Sequence, residues 1–106
     1  LELASDRIRE ANALTTLVAA EKVGEYVRVA GMRQTWRRRQ TSRGDYIYFM
    51  ALEDLEGALD VVIFSDVYRR SRSVLKDSGP YLLEGMVELD GEMGEPFIRV
   101  ERVEHL

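Results

Sequence analysis

A chain of 106 residues, 45% hydrophobic and 32% charged, has the size and balance of one globular domain with one modest core. No apolar run approaches the roughly 18 residues of a membrane span, no secretory leader is expected, and the absence of cysteine excludes disulfides and thiolate metal sites. The lone histidine, His105, cannot build a histidine metal centre or support a serine–histidine–aspartate triad, and the net charge of −4 argues against a uniformly basic nucleic-acid binder.

The chain opens at Leu1, from which a piece of a longer protein is expected. Residues 5–22 read as a short helix. Ser5 or Asp6 can cap it, Ile8, Ala11, Leu14, Leu17 and Val18 recur at helical spacing, and Gly24 ends it. Residues 1–24 are therefore set apart as an N-terminal helical or linker segment, and 25–106 as the domain proper. The first strand is expected from Glu25 to about Thr35, with Gly31 marking a bulge or sharp coil. Trp36 to Gly44 is polar and basic and reads as a loop. A second strand, Asp45 to Glu53, carries Tyr46, Tyr48 and Phe49. Asp54 to Gly57 is a tight turn in which Asp54 is a turn former rather than a metal ligand.

The third strand, Ala58 to Phe64, is a β-branched run through Val61, Val62 and Ile63. Residues 65–77 form the clearest helix, with Ser65 as N-cap, Asp66 on the positive end of the dipole, and Val67, Ser71, Val74 and Leu75 on one face. Gly79 and Pro80 stop it. Tyr81 to Asp90 is a fourth strand, 90–95 a hairpin loop, and Pro96 to about Val103 a fifth strand. Three strands, one helix and two strands predict an all-β five-stranded Greek-key barrel, the OB-fold, whose helix sits between strands 3 and 4.

The residues then become recognisable. Val27-Arg28-Val29-Ala30-Gly31, a basic stretch, Phe49-Met50-Ala51-Leu52-Glu53-Asp54 with Gly57, Asp60-Val61-Val62-Ile63-Phe64 and Leu82-Leu83-Glu84-Gly85-Met86-Val87 follow one another in order. Over roughly residues 25–103 this resembles the OB domain near the C-terminal end of the bacterial DNA polymerase III alpha subunit, a C-family polymerase. The error-prone paralogue carries a similar domain, and anticodon-binding OB domains share the hairpin motif. The resemblance implies contact with single-stranded template DNA and a cytoplasmic setting. It implies no catalytic residue here, because the polymerase carboxylates belong to a palm that this chain does not contain. No cofactor, metal, membrane or small-molecule substrate is expected. Other replisome proteins are the alternative partners, and an anticodon-type RNA-binding domain is the alternative class.

Charge and aromatic placement supply the candidate site. Arg33, Arg37, Arg38, Arg39 and Arg43 crowd one stretch with no acid before Asp45, whereas Glu53, Asp54, Glu56, Asp60, Glu84, Glu88, Asp90, Glu92 and Glu95 gather elsewhere. A local positive patch on an acidic body admits a polyanion at one place and repels it at others. Trp36 among these arginines joins a stacking ring to phosphate partners, the combination that single-strand binders use; packing onto the core is its rival role. As a loop, the stretch can turn more than one of Arg37, Arg38 and Arg39 toward one backbone. Tyr46 and Tyr48 share a strand face as further stacking candidates. Met50 and Leu52 share their parity, so alternation alone leaves open which face is buried. Arg99 and Arg102 read as solvated charges, and Arg69, Arg70 and Arg72 as the exposed side of the helix or a partner surface.

Overall fold

Alternation along each strand builds the interior. Val27 and Val29, then Tyr48, Met50 and Leu52, then Leu59, Val61 and Ile63 are buried, as are Leu83, Val87, Ile98, Val100 and Val103. The computed structural model describes residues 9, 12–92 and 94–106. Its elements are α1 (Thr16–Ala20), β1 (Tyr26–Gln40), β2 (Tyr46–Glu53), β3 (Ala58–Ile63), α2 (Ser65–Leu75), β4 (Tyr81–Leu89) and β5 (Pro96–His105). The strands close in the order β1-β2-β3-β5-β4. All pairs are antiparallel except β3 with β5. This is the OB barrel expected from the element order, with α2 between β3 and β4.

β1 serves two neighbours. Tyr26 to Gly31 pair with β4, and Met32 to Gln40 pair with β2. At the handover a Cβ on Gly31 would lie 2.7 Å from both the Glu53 carbonyl oxygen and Leu52 Cγ, so the crossing needs glycine. The bulge falls three residues later. Arg33 faces Leu52 and Thr35 faces Ala51, which leaves Gln34 as the extra residue. A bulge reverses the inward–outward order beyond it. Trp36 thus turns toward the core, while Thr35, Arg37 and Arg39 turn outward. A second bulge at Glu101 explains why Val103 follows Val100 inward at a spacing of three.

Two sequence expectations need correction. The stretch 36–40 is strand, not loop; the connection to β2 is closed by Thr41 N donating to the Asp45 carbonyl at 2.7 Å. Polar residues persist in this strand because each has a cross-strand partner of high β-propensity: Arg37 faces Phe49, Arg38 faces Tyr48, Arg39 faces Ile47 and Gln40 faces Tyr46. The helix expected over 5–22 is not continuous: among the described residues Arg9 is helical, and helix resumes only at Thr16–Ala20. Asn12 has a left-handed φ of 57°, and Leu14 bridges to Val29 of β1, so the chain here is extended rather than helical. Residues 5–8, 10 and 11, with the caps and apolar positions expected there, lie outside the described residues.

Asp54 links α1 to the β2–β3 turn. Its carboxylate accepts from Glu56 N and Gly57 N, as a turn former should, and also from Thr16 N at 2.7 Å and Thr16 Oγ1 at 2.8 Å. Thr16 is 1% exposed, so losing the carboxylate strands two buried donors. Asp54→Ala is expected to lower unfolding stability by about 2 kcal/mol in urea denaturation, while Asp54→Asn, which keeps one acceptor oxygen, loses less.

α2 closes one end of the barrel with Val67, Ser71 and Leu75 inward. Its N-cap is Phe64 rather than Ser65, without a side-chain cap, and it ends at Leu75 instead of continuing to 77. Arg33 donates to the Leu75 carbonyl at 3.0 Å, which satisfies a C-terminal helix acceptor with a cation at the negative end of the dipole. Among the described residues no helix is long and apolar enough to cross a membrane, and no group of three or more His, Cys, Asp or Glu is placed to hold a metal ion.

Candidate functional site

The outward residues of β1, β2, β3 and β5 form one row across the barrel: Arg37, Phe49, Val62 and Arg99. A groove of about 570 Å³ runs over this row, lined by Arg37, Arg39, Phe49, Phe64 and Phe97 among others. The β4–β5 loop contributes Asp90, Gly91 and Glu95 to its far rim. The guanidinium carbons of Arg37 and Arg39 each lie 5.7 Å from the Phe49 ring centroid. Two cations beside an aromatic ring on an open sheet face can engage phosphates while the ring receives a base. Phe64, 40% exposed, extends the apolar floor. Arg99 is ion-paired with Glu88 at 2.7 Å, and Asp60, Asp90 and Glu95 also line the groove, so its cations outside that ion pair are Arg37 and Arg39 of β1.

The eight residues singled out from the sequence divide among three places. Arg37 and Arg39 line the groove. Arg33 is half-buried under α2 and lies 5.3 Å from the Trp36 ring. Trp36 is half-buried and packs on the core, its ring 5.3 Å from Tyr48. Tyr48 is 7% exposed and stacks on Tyr68 of α2 at 3.9 Å with 13° between planes. Tyr46 is half-buried on the same side, with Arg38 4.4 Å from its centroid. Arg43 is exposed in the β1–β2 turn. The tyrosine face of β2 is thus the interior face, and the outward aromatic is Phe49.

Sequence reasoning missed Phe49, Phe64 and Phe97 as groove residues. For Phe49 the signal was ambiguous, because Ile47, Phe49 and Ala51 are as apolar as Met50 and Leu52; it is the burial of Tyr48, Met50 and Leu52 in the barrel that turns Phe49 outward. For Phe64 and Phe97 there was none, because the parallel β3–β5 pairing that brings them together joins distant segments.

No family model matches the chain. It is 37% identical over 101 residues to an error-prone DNA polymerase of Anaeromyxobacter dehalogenans, a match covering 95% of this chain and 8% of that protein. It is 33% identical over 86 residues to the error-prone DNA polymerase of Symbiobacterium thermophilum, covering 81% of this chain and 8% of that one. To the DNA polymerase III subunit alpha of Pseudomonas fluorescens it is 32% identical over 75 residues, covering 71% and 6%. The chain spans less than a tenth of the length of these curated relatives. Among solved structures, asparaginyl-tRNA synthetase from Pyrococcus horikoshii superposes with a TM-score of 0.61 at 23% identity, over 80% of this chain and 20% of that one. RecG bound to a three-way DNA junction superposes with a TM-score of 0.59 at 18% identity, over 77% and 11%. At these identities the structural likeness is one of fold.

Proposed function

The chain belongs with the segment that bacterial error-prone DNA polymerases and DNA polymerase III alpha subunits share, and from that premise we propose that it binds single-stranded DNA as a non-catalytic part of such a polymerase. The observation that carries this reading is the groove in which Arg37 and Arg39 flank the outward ring of Phe49. Phosphates engage the arginines and a base stacks on Phe49, with little sequence preference because phosphate contacts position a strand without reading it. In this reading residues 25–106 are the binding domain, the parent is cytoplasmic, and nucleotide transfer belongs to other parts of the parent.

The test is a titration of labelled single-stranded DNA, single-stranded RNA and duplex at two salt concentrations. Single-stranded DNA is expected to bind most tightly and to weaken as salt rises, since binding releases counterions. Tighter binding of RNA would move the domain to the anticodon-type class. Absence of binding to all three would favour docking on an acidic replisome protein.

A further inference from the structure

Arg38 lies on the opposite side of β1 from Arg37 and Arg39, because neighbouring strand residues alternate. Its distance of 4.4 Å to the Tyr46 centroid is the shortest cation–ring approach among the described residues. Tyr46 is in turn part of a shallow depression of about 200 Å³, lined also by Asp45, Ser65, Tyr68, Arg69 and Arg72, between the β1–β2 turn and α2. The Arg72 guanidinium lies 5.9 Å from the Tyr68 centroid.

A guanidinium resting on a ring keeps its N–H donors in its own plane, directed to the side, in the fork that matches phosphate oxygens. These cations are also uncommitted. The ion pairs among the described residues use Arg28, Arg99 and Arg102; Arg38, Arg69 and Arg72 enter none.

The depression also adjoins the groove. Phe64 lines the groove and its chain neighbour Ser65, at the start of α2, lines the depression, while Ile47 and Tyr46 face opposite sides of β2. A polynucleotide leaving the groove past Phe64 reaches the second set of arginines by rounding the edge of the sheet at the start of α2. An acidic peptide would satisfy the same cations, but that continuity favours the strand already in the groove. We propose that the depression of Arg69, Arg72, Tyr46 and Tyr68, with Arg38 beside it on the Tyr46 ring, is a second phosphate subsite for the same single strand, which lengthens the footprint around the end of the β1–β2 hairpin. The inference rests on the single-strand reading above.

The experiment compares a thymidine hexamer with a thymidine tetradecamer on the wild-type chain and on Arg38→Ala/Arg72→Ala, with circular dichroism to verify folding. Both side chains are exposed, so the variant is expected to fold. The hexamer should bind both proteins equally. The gain in affinity on lengthening to the tetradecamer should fall about tenfold in the variant, and its salt slope should become shallower by about 1.4, corresponding to two phosphate contacts. Comparing gains cancels the extra registers available to a longer strand. Arg38→Lys/Arg72→Lys, which keeps the charge, should keep the slope.

An identical gain in wild type and variant overturns the second subsite and leaves the groove intact. A glutamate-rich peptide that binds wild type but not the variant, with DNA binding unchanged, overturns it in favour of a protein partner. If neither oligonucleotide binds the wild type, the single-strand reading falls and takes the subsite with it.

Discussion

Gly85→Ala is expected to destabilise the domain by at least about 3 kcal/mol, toward the upper end for overpacking, and to lower Tm by about 15 °C or more. A Cβ at Gly85 would collide with the Arg99 carbonyl oxygen and lie 2.8 Å from Ile98 Cγ2. The first obstacle is backbone, so no rotamer change relieves it. Gly85 also stands at the register shift, opposite Val100, where β5 carries its extra residue Glu101. Relief requires separating β4 from β5, and with them the buried side chains Val87, Ile98 and Val100. Thermal unfolding by circular dichroism checks the result. A Tm within 3 °C of wild type, far below the shift expected, would show that the β4–β5 ladder yields more easily than its geometry implies.

The second large effect concerns binding. Replacing both Arg37 and Arg39 with alanine is expected to weaken hexamer binding on the order of 30-fold, or about 2 kcal/mol, and to flatten the salt slope by about 1.4. Arg38→Ala should leave hexamer binding unchanged, because its guanidinium lies on the other face of β1. The contrast within three consecutive arginines is the informative part. A loop would allow all three to act together; a strand divides them two against one. The loss should be similar for every base sequence. Stability should change by no more than about 1 kcal/mol, the value of the two exposed cation–ring contacts with Phe49. Equal losses for Arg38→Ala and Arg37→Ala would reject the alternating arrangement.

The barrel was legible because its signals are local. Val61, Val62 and Ile63 declare β3; Asp66, Gly79 and Pro80 bracket α2; and the glycines at 31 and 85 mark the crowded crossings. The arm at 36–40 was not legible, since a run of arginines has the composition of a solvated loop and is held as strand by the aromatic and β-branched residues of β2. Nor was the orientation of Trp36, which depends on one unpaired residue, Gln34, that nothing in the sequence distinguishes from its polar neighbours. The helical spacing of Leu14, Leu17 and Val18 was real but overridden. Leu14 joins β1, and Asp54, far along the chain, captures Thr16. Two of the eight chosen site residues, Arg37 and Arg39, line the groove. Arg33, Trp36, Arg38 and Arg43 were chosen with one basic stretch and Tyr46 and Tyr48 as one face of the second strand, and the fold distributes them between the interior, the opposite face of β1 and the turn.

The division of β1 between two neighbours bears on the order in which the molecule assembles. Its second half meets β2 through a short connection, so the β1–β2–β3 meander can form early from local encounters. Its first half waits for β4, with Tyr26 paired to Met86. Closing that large loop costs entropy before any contact rewards it, which places this barrel among slow, millisecond-to-second folders. Until β4 and β5 arrive, Val27 and Val29 have no ladder partner on that side. During synthesis the nascent meander therefore carries an open, apolar edge, a chaperone-sensitive interval that ends only when the last strand leaves the ribosome.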